Sequence, residues 1–146
     1  MRNMILVRGL PASGKSTLAR RLALVPSSAV FEADNFFIGA DGVYRFDIAR
    51  IAEAHKECIS DAKASQATNV IVANTFTQRW EMNPYIDHAK SNNMTLTVIT
   101  VQTDLTDEQL AARNLHGVPV NVIAMMRARF EHDWQNGKMY PFGIES

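Results

Sequence analysis

A glycine-bounded loop near the start of the chain constrains the possible fold more than any other segment. Residues 9–16, GLPASGKS, match the pattern G-x-x-x-x-G-K-[ST] at every defined position. The apolar residues 4–7 precede this loop, and apolar residues with helical spacing follow it as far as Val25. The sequence therefore predicts a buried strand, a phosphate-binding loop and a helix, in that order.

Each part of this loop suits the phosphates of a nucleotide. Glycines allow backbone N–H groups to point inward around the β-phosphate, Lys15 can reach the β- and γ-phosphates, and the Ser16 hydroxyl can ligate Mg²⁺. The helix that begins here adds its positive N-terminal end. We expect ATP and Mg²⁺ as cofactors, bound by Gly9, Leu10, Pro11, Ala12, Ser13, Gly14, Lys15, Ser16 and Thr17.

Three further apolar segments predict strands at residues 28–33, 69–73 and 94–101. Helical patterns separate them. Strands that alternate with helices predict an α/β, three-layer fold, with a parallel sheet of four to five strands and helices on both faces. A chain of 146 residues has the size of one domain, so we expect residues 1–146 to form a single domain, with turns in residues 135–146.

The spacing of apolar residues also predicts which helix faces are buried. The second helix is expected to bury Ile48, Ile51, Ala52, His55, Cys58, Ile59 and Ala62. His55 is interpreted as a buried, hydrogen-bonded structural residue. Thr77 is expected to cap a helix that buries Tyr85, Ile86 and Ala89. Thr106 and Gln109 have capping-box spacing, and the last helix is expected to bury Val122, Met125, Met126 and Phe130.

The composition argues against several classes of protein. Fifteen basic residues balance fifteen acidic ones, so nucleic acid is a possible partner that the net charge does not imply. The single cysteine, Cys58, forms neither an internal disulfide nor a cysteine metal cluster, which favours a reducing cytoplasm. No membrane association is expected, since no apolar run approaches the roughly 20 residues that span a bilayer.

Asp34 is the candidate catalytic base. It follows the second predicted strand, and ligands of parallel α/β sheets lie at the carboxyl ends of the strands. A carboxylate there can accept the proton of an attacking hydroxyl, hold Mg²⁺ through water, or simply cap the next helix. Asn35, Phe36 and Phe37 are candidates for the lining of an acceptor pocket, with the core as the alternative for the two phenylalanines.

The third predicted strand ends without an acid. Many enzymes with this loop place a Mg²⁺-organising Asp there, but this chain has Ala73, followed by Asn74 and Thr75. Both polar residues are expected at the cleft. Ser16, the phosphates and water, with Asp34 as a second candidate metal ligand, are expected to complete the Mg²⁺ shell. Asp104, after the fourth strand, is interpreted as a turn residue.

Arg113 and His116 lie at a predicted helix–loop–helix junction near the end of the chain. An arginine on a closing lid neutralises charge that develops on a transferred phosphoryl group. Arg113 is therefore a candidate catalytic and nucleotide-binding residue, the alternative being a solvated arginine at a helix end. His116 either contacts the nucleotide or caps the turn. Arg127 and Arg129 are interpreted as surface or adenine-stacking residues.

Taken together, these motifs resemble the polynucleotide-kinase-like small P-loop kinases. The resemblance runs through ILVRGLPASGKSTLAR, EADNFF, the pair Ala54-His55, VIVANT and RNLHGVPVNVIAMM. It implies a P-loop kinase domain that phosphorylates a hydroxyl with ATP, with Asp34 as general base and residues 113–116 in the lid. Two positions depart from the family: Phe37 stands near the place of an acceptor-binding arginine, and Ala73 replaces an Asp.

The motifs do not identify the molecule that carries the acceptor hydroxyl. A polynucleotide 5′-hydroxyl, a nucleoside or nucleotide, and another small molecule are all compatible with the motifs. A nucleoside monophosphate kinase would require a phosphate-binding arginine, for which Arg45 is the loop candidate. A nucleotide-dependent switch or binding module with little transfer is the alternative of a different class, which Ala73 favours slightly.

Overall fold

A four-stranded parallel sheet forms the centre of the protein. The computed structural model describes residues 1–132, and the backbone of residues 134–135 and 138–139. The sheet has the order β2-β3-β1-β4. Its strands are β1 (Asn3–Arg8), β2 (Ser28–Phe31), β3 (Asn69–Asn74) and β4 (Thr95–Thr100). The predicted α/β architecture is confirmed, although β2 ends at Phe31 and not at residue 33.

The strand order places the phosphate-binding loop, which follows β1, near the middle of the edge formed by the carboxyl ends of the strands. In β1, Leu6 lies opposite Val72 of β3 and Val98 of β4. Because all four strands are parallel, their carboxyl ends meet at this edge. Residues that directly follow β1, β2 and β3 are therefore neighbours, although they are distant in sequence.

Helices cover both faces of the sheet. They are α1 (Lys15–Leu22), α2 (Ile51–Ala64), α3 (Asn83–Ser91), α4 (Asp107–Arg113) and α5 (Val120–Arg129). Short 3₁₀ turns occupy Ala33–Phe37, Ile48–Arg50 and Arg79–Met82, and Trp134–Gln135 (β5) pairs with Lys138–Met139 (β6). Other residues of the predicted turn-rich tail, 136–137 and 140–146, lie outside the described part. No helix in residues 1–132 is both long and apolar enough to cross a bilayer.

Alternating side chains of β1 divide the core into two layers. Met4 and Leu6 are fully buried against α2 and α3, in a cluster that includes Cys58 and Tyr85. Val7 packs on the other face with Ala19 of α1. A third cluster joins α4 and α5 to the phosphate-binding loop through Leu10, Leu110 and Ile123. The loop is thus held by packing on both of its sides.

The buried face of α2 agrees with the predicted one only in part. Cys58 and Ala62 are buried as predicted, and Ala54 is buried with them, whereas Ile51 is 42% exposed and Ile48, in the 3₁₀ turn before the helix, is 76% exposed. Small side chains let the helix approach the sheet closely, which a hydrophobicity pattern does not show. His55 is half-buried rather than buried, and the structure gives its side chain no hydrogen bond among residues 1–132.

Two other helix predictions are corrected and two are confirmed. In α5 the buried face consists of Ile123 with Met126 and Phe130, while Met125 is 61% exposed, because the helix packs on α4 and not on the sheet. Gln78, not Thr77, caps the 3₁₀ turn before α3, in a capping box with Glu81. The burial of Tyr85, Ile86 and Ala89 is confirmed. So is the capping box of Thr106 and Gln109.

Candidate active site

The phosphate-binding loop contains two residues with a left-handed backbone conformation. Gly14 adopts φ 102° and Ala12 φ 62°, both in the left-handed region. A Cβ atom on Gly9 would lie 2.6 Å from Ser13 Oγ and 3.1 Å from the Val101 carbonyl oxygen. Substitution of Gly9 would therefore push apart the loop and the segment after β4.

Several donors in this loop are available to an anion. The buried Ser13 Oγ has no hydrogen-bond partner in the described part of the chain, and Lys15 Nζ donates to the Leu10 carbonyl at 3.3 Å. Burial lowers the pKa of Lys15, and the charges of Asp34 and Glu32 oppose that shift. A buried hydroxyl without a partner is costly unless a ligand satisfies it. These residues fit the phosphates of a nucleotide.

Ser16 hydrogen-bonds to a residue that no sequence motif singled out. Its hydroxyl donates to Glu32 Oε1, and Glu32 directly follows β2. The sequence offered one indication of a role for Glu32, which is its position at the carboxyl end of a strand, two residues before Asp34. The hydroxyl expected to face Mg²⁺ therefore has a carboxylate beside it.

Asp34 lies in the 3₁₀ turn after β2 and faces a cluster of ring side chains. Its carboxylate accepts a long hydrogen bond of 3.5 Å from the Tyr44 hydroxyl and lies 3.7 Å from His116 Nε2. The rings of Tyr44 and His116 stack with centroids 4.1 Å apart. Burial and the Asp34 charge raise the pKa of Tyr44 to about 12, which further favours the protonated, hydrogen-bond-donating form of its hydroxyl.

Four aromatic side chains, those of Phe36, Phe37, Tyr44 and Phe46, pack together beside Asp34 and form an aromatic wall. Phe37 is buried and packs edge-on against Phe36 at 5.1 Å, and it also contacts the rings of Tyr44 and Phe46. Phe36 lies under the Arg50 guanidinium at 4.6 Å. Phe37 therefore belongs to the core, and the exposed edge of the wall is formed by Tyr44 and its neighbours.

Asn74 does not face the cleft as expected. It is buried, its Oδ1 accepts a hydrogen bond of 2.9 Å from the Ala33 backbone N–H, and its Nδ2 donates to Cys58 Sγ at 3.7 Å. Asn74 thereby fixes the start of the turn that carries Asp34. Ala73 is buried in the cluster under α1.

The predicted lid residues lie in different surroundings. Arg113, the last residue of α4, is exposed and forms no hydrogen bond or ion pair with residues 1–132. Arg127 is structural, because it donates to Asp107 Oδ1 at 2.7 Å and to the Leu105 carbonyl at 2.8 Å. Arg129 is bound to Thr77 Oγ1 at 3.2 Å. Both arginines are exposed, which agrees with a surface position, and adenine stacking stays a prediction.

A second open space adjoins the phosphate-binding loop. This cleft of about 460 Å³ is bordered by Leu10, residues 100–104 after β4, and Arg127, Phe130 and His132. Asp104 is exposed on its rim, which agrees with a turn position. The cleft lies on the opposite side of the loop from β2 and Asp34, because β4 and β2 are the two edges of the sheet.

Arg8 is a second residue whose role the sequence did not show. It ends β1, is fully buried, and donates through Nε and Nη2 to the Phe76 carbonyl at 3.1 and 2.7 Å. Its guanidinium lies 4.2 Å from the centroid of the Phe130 ring. Arg8 thus connects the loop after β3 with the end of α5, behind the site.

Comparisons with known proteins agree with this architecture. A family model described as an AAA domain matches residues 4–132. Human NEDD4-binding protein 2 is 35% identical over 136 residues, and that match covers 88% of this chain but only 8% of the human protein.

Solved structures show the same fold at lower identity. A chain of the Pnkp1/Rnl/Hen1 RNA repair complex superposes with a TM-score of 0.68 at 19% identity, over 88% of this chain and 44% of its own length. A gluconokinase from Sinorhizobium meliloti 1021 gives a TM-score of 0.62 at 16% identity, over 94% of this chain and 81% of its own. The chain belongs to the AAA domain family, and its fold is that of the polynucleotide-kinase-like P-loop kinases.

Proposed function

We propose that this chain is an ATP-dependent kinase that transfers the γ-phosphate of ATP to an acceptor hydroxyl. One observation carries the proposal. The carboxylate of Asp34 is half-exposed, and it is close enough to Lys15 of the phosphate-binding loop for its charge to oppose the lowering of the Lys15 pKa by burial. A base within reach of the phosphates and open to an acceptor is what hydroxyl phosphorylation requires.

The proposed reaction assigns one task to each group. The acceptor oxygen attacks the γ-phosphorus, its proton passes to Asp34, and the bond to the β,γ-bridging oxygen breaks to release ADP. Lys15 holds the β- and γ-phosphates and Ser16 holds Mg²⁺, which offsets phosphate charge when it is bound. The backbone of residues 9–14 surrounds the β-phosphate.

Arg113 is proposed to act through closure of the segment that follows α4. Residues 114–119 contain Leu115, which is 93% exposed, and Gly117, with φ 69°. His116 of the same segment already reaches Asp34. Further closure of this segment would bring the guanidinium of Arg113 towards the transferred group, where it stabilises the developing charge.

The acceptor side favours a hydroxyl compound over a nucleoside monophosphate. Arg45, the candidate phosphate ligand of a monophosphate kinase, is bound to both oxygens of Asp41 at 3.1 and 2.6 Å. An acceptor phosphate would have to displace this pair. The half-buried ring of Tyr44 and the exposed ring of His116 beside Asp34 instead suit an acceptor with a flat or apolar face. A polynucleotide 5′-hydroxyl, a nucleoside and another small hydroxyl compound meet that description.

The test is transfer of labelled phosphate from ATP to a panel of acceptors. The panel contains 5′-hydroxyl DNA and RNA oligonucleotides, nucleosides, nucleoside monophosphates and polyols. Asp34→Asn should lower transfer by roughly 10²–10⁴ while nucleotide affinity stays within about threefold, because the amide cannot accept the proton. Asp87→Asn, which changes an exposed carboxylate on α3, is the matched control and should keep full activity.

Two results would contradict the proposal. Transfer at the parent rate by Asp34→Asn would remove Asp34 as the base and leave its contacts with Tyr44 and His116 as its role. Nucleotide binding without transfer to any acceptor would instead support a switch or binding module.

A further inference from the structure

We propose that Glu32 is the carboxylate that organises the Mg²⁺ shell together with Ser16, in place of an acid on β3. This inference rests on the proposed binding of ATP with Mg²⁺. It adds a residue that neither the loop motif nor the comparisons assign.

The side chains of Ser16 and Glu32 are in direct contact. The Ser16 hydroxyl donates to Glu32 Oε1 across 16 positions of sequence. Ser16 lies in the first turn of α1, and that turn contains no acidic residue of its own. A serine hydroxyl and a carboxylate in contact supply two hard oxygen ligands, or one ligand and one partner for a metal-bound water, as Mg²⁺ prefers.

The register of the neighbouring strand also supports this role for Glu32. Enzymes with this loop commonly hold Mg²⁺ with the loop Ser or Thr and an Asp at the end of another strand. The strand β3 carries Ala73 at that place. Phe31 of β2 lies opposite Val72 of β3, so the next residues, Glu32 and Ala73, stand side by side at the sheet edge.

Both positions also face the same layer of the molecule. Phe31 and Val72 pack in the cluster under α2 and α3, so the residues after them point to the other face, that of α1. Ala73 is found there, against Ala19. Glu32 reaches Ser16 on this side. The acid therefore follows β2 and does not lie on β3, but it stands at the equivalent position along the strand and on the same face of the sheet.

A purely structural role is the competing explanation. Glu32 would then only orient Ser16 and complement the positive end of α1. The two roles differ in charge dependence, because a glutamine can still accept the Ser16 hydrogen bond but cannot offset the charge of a metal ion. The two roles also predict effects of opposite sign on nucleotide binding in the absence of metal, because a carboxylate beside the loop repels phosphates that carry no metal ion.

The experiment measures binding of fluorescent N-methylanthraniloyl-ADP by the full chain, in Mg²⁺ titrations and in EDTA. Glu32→Gln should raise the Mg²⁺ concentration for half-maximal enhancement of binding by about 10- to 100-fold, the usual cost of removing a carboxylate around a metal site. In EDTA the same variant should bind the nucleotide as tightly as the parent or more tightly. Mn²⁺ bound to the protein–ADP complex, counted by electron paramagnetic resonance, should decrease in parallel.

Glu57→Gln is the matched control. Glu57 is an exposed residue of α2 that borders the same small cavity of about 100 Å³ as Glu32. This variant removes one charge from the same region and should leave the Mg²⁺ midpoint unchanged. An unchanged midpoint in Glu32→Gln, or equal weakening with Mg²⁺ and in EDTA, would overturn the proposal.

A double variant tests the displacement between strands. In Glu32→Gln/Ala73→Asp, the acid is moved to β3, and the Mg²⁺ midpoint should return to within about fivefold of the parent, since either strand end faces Ser16. Circular dichroism establishes that the variant is folded. A folded double variant without recovery would overturn the equivalence of the two positions. Because these measurements require no transfer, they can succeed even if every acceptor fails and the proposed kinase activity is wrong.

Discussion

Lys15 has an environment that is unfavourable for a charge until an anion binds. Burial lowers its pKa, and its amine donates to the Leu10 carbonyl as a substitute partner. Charge-assisted hydrogen bonds contribute about 1.5–3 kcal/mol each. Lys15→Ala should therefore weaken ATP binding by roughly 10- to 150-fold for each hydrogen bond to phosphate that it removes, measured by calorimetry.

The same substitution should leave the fold intact, because the Lys15 side chain belongs to no core cluster. Lys63→Ala, at the exposed end of α2, is the control for removal of one positive charge. Parental affinity of Lys15→Ala for ATP would show that nucleotides bind elsewhere.

Arg113 should act on the rate more than on affinity. Since it has no partner in residues 1–132, its charge is free to approach developing negative charge when the segment closes. Arg113→Ala should lower kcat by roughly 10²–10³ and ATP affinity much less. Arg113→Lys should recover only part of the rate, because an ammonium cannot form two parallel hydrogen bonds. Steady-state kinetics check both.

A matched arginine separates this effect from helix stabilisation. Arg21 lies in the last turn of α1, as Arg113 does in α4. If both act only on the helix dipole, each substitution costs about 0.3–1 kcal/mol and leaves kcat unchanged. A normal kcat in Arg113→Ala would place the catalytic arginine elsewhere.

At the scale of elements, Cys58 reports the contact of α2 with the sheet. Burial raises the pKa of its thiol above the ordinary value of 9.0, although hydrogen-bonding neighbours partly oppose this. In the native protein the thiol should react with a disulfide reagent at least about 100-fold more slowly than in urea, because reaction requires opening of the layer.

The sign of the pH effect follows from the same shift. A pKa that is higher in the folded state adds stability below the unfolded value, and that stability declines as the pH rises above 9.0. Chemical unfolding of the parent should therefore show an alkaline decrease in stability that is smaller in Cys58→Ala. If the Cys58 thiol of the native protein instead reacts rapidly with the disulfide reagent, α2 opens easily or packs differently.

For the molecule as a whole, the balance of charges limits binding to nucleic acid. The formal net charge is 0, and Arg45 and Arg50 are paired with Asp41 and Glu53. Each phosphate contact contributes about 0.9 to the slope of log affinity against log salt. We expect weak binding of 5′-hydroxyl oligonucleotides with a slope of about 2–3 at most, measured by fluorescence anisotropy. Tight binding with a slope of about 6 or more would contradict this and favour a nucleic-acid repair kinase.

Local patterns predicted much of the architecture. The phosphate-binding loop occupies contiguous residues, so its motif was visible, and the alternation of strands and helices led to the parallel sheet. The helix faces were predicted less well. For α2 and α5, the partner that covers the helix decides which side is buried, and the apolar residues Ile48 and Met125 are exposed because no such partner covers them.

The candidate site, like the fold, was predicted only in part from the sequence. The sequence by itself determined the phosphate-binding loop and the position of Asp34 after a strand, because both depend on neighbours in the chain. Only the tertiary structure brought Glu32 to Ser16, Asn74 to the turn of Asp34, and His116 to Asp34 across 82 positions. Parallel strands connected by helices place distant residues at one sheet edge, and the strand order that selects the neighbours depends on packing of the whole chain.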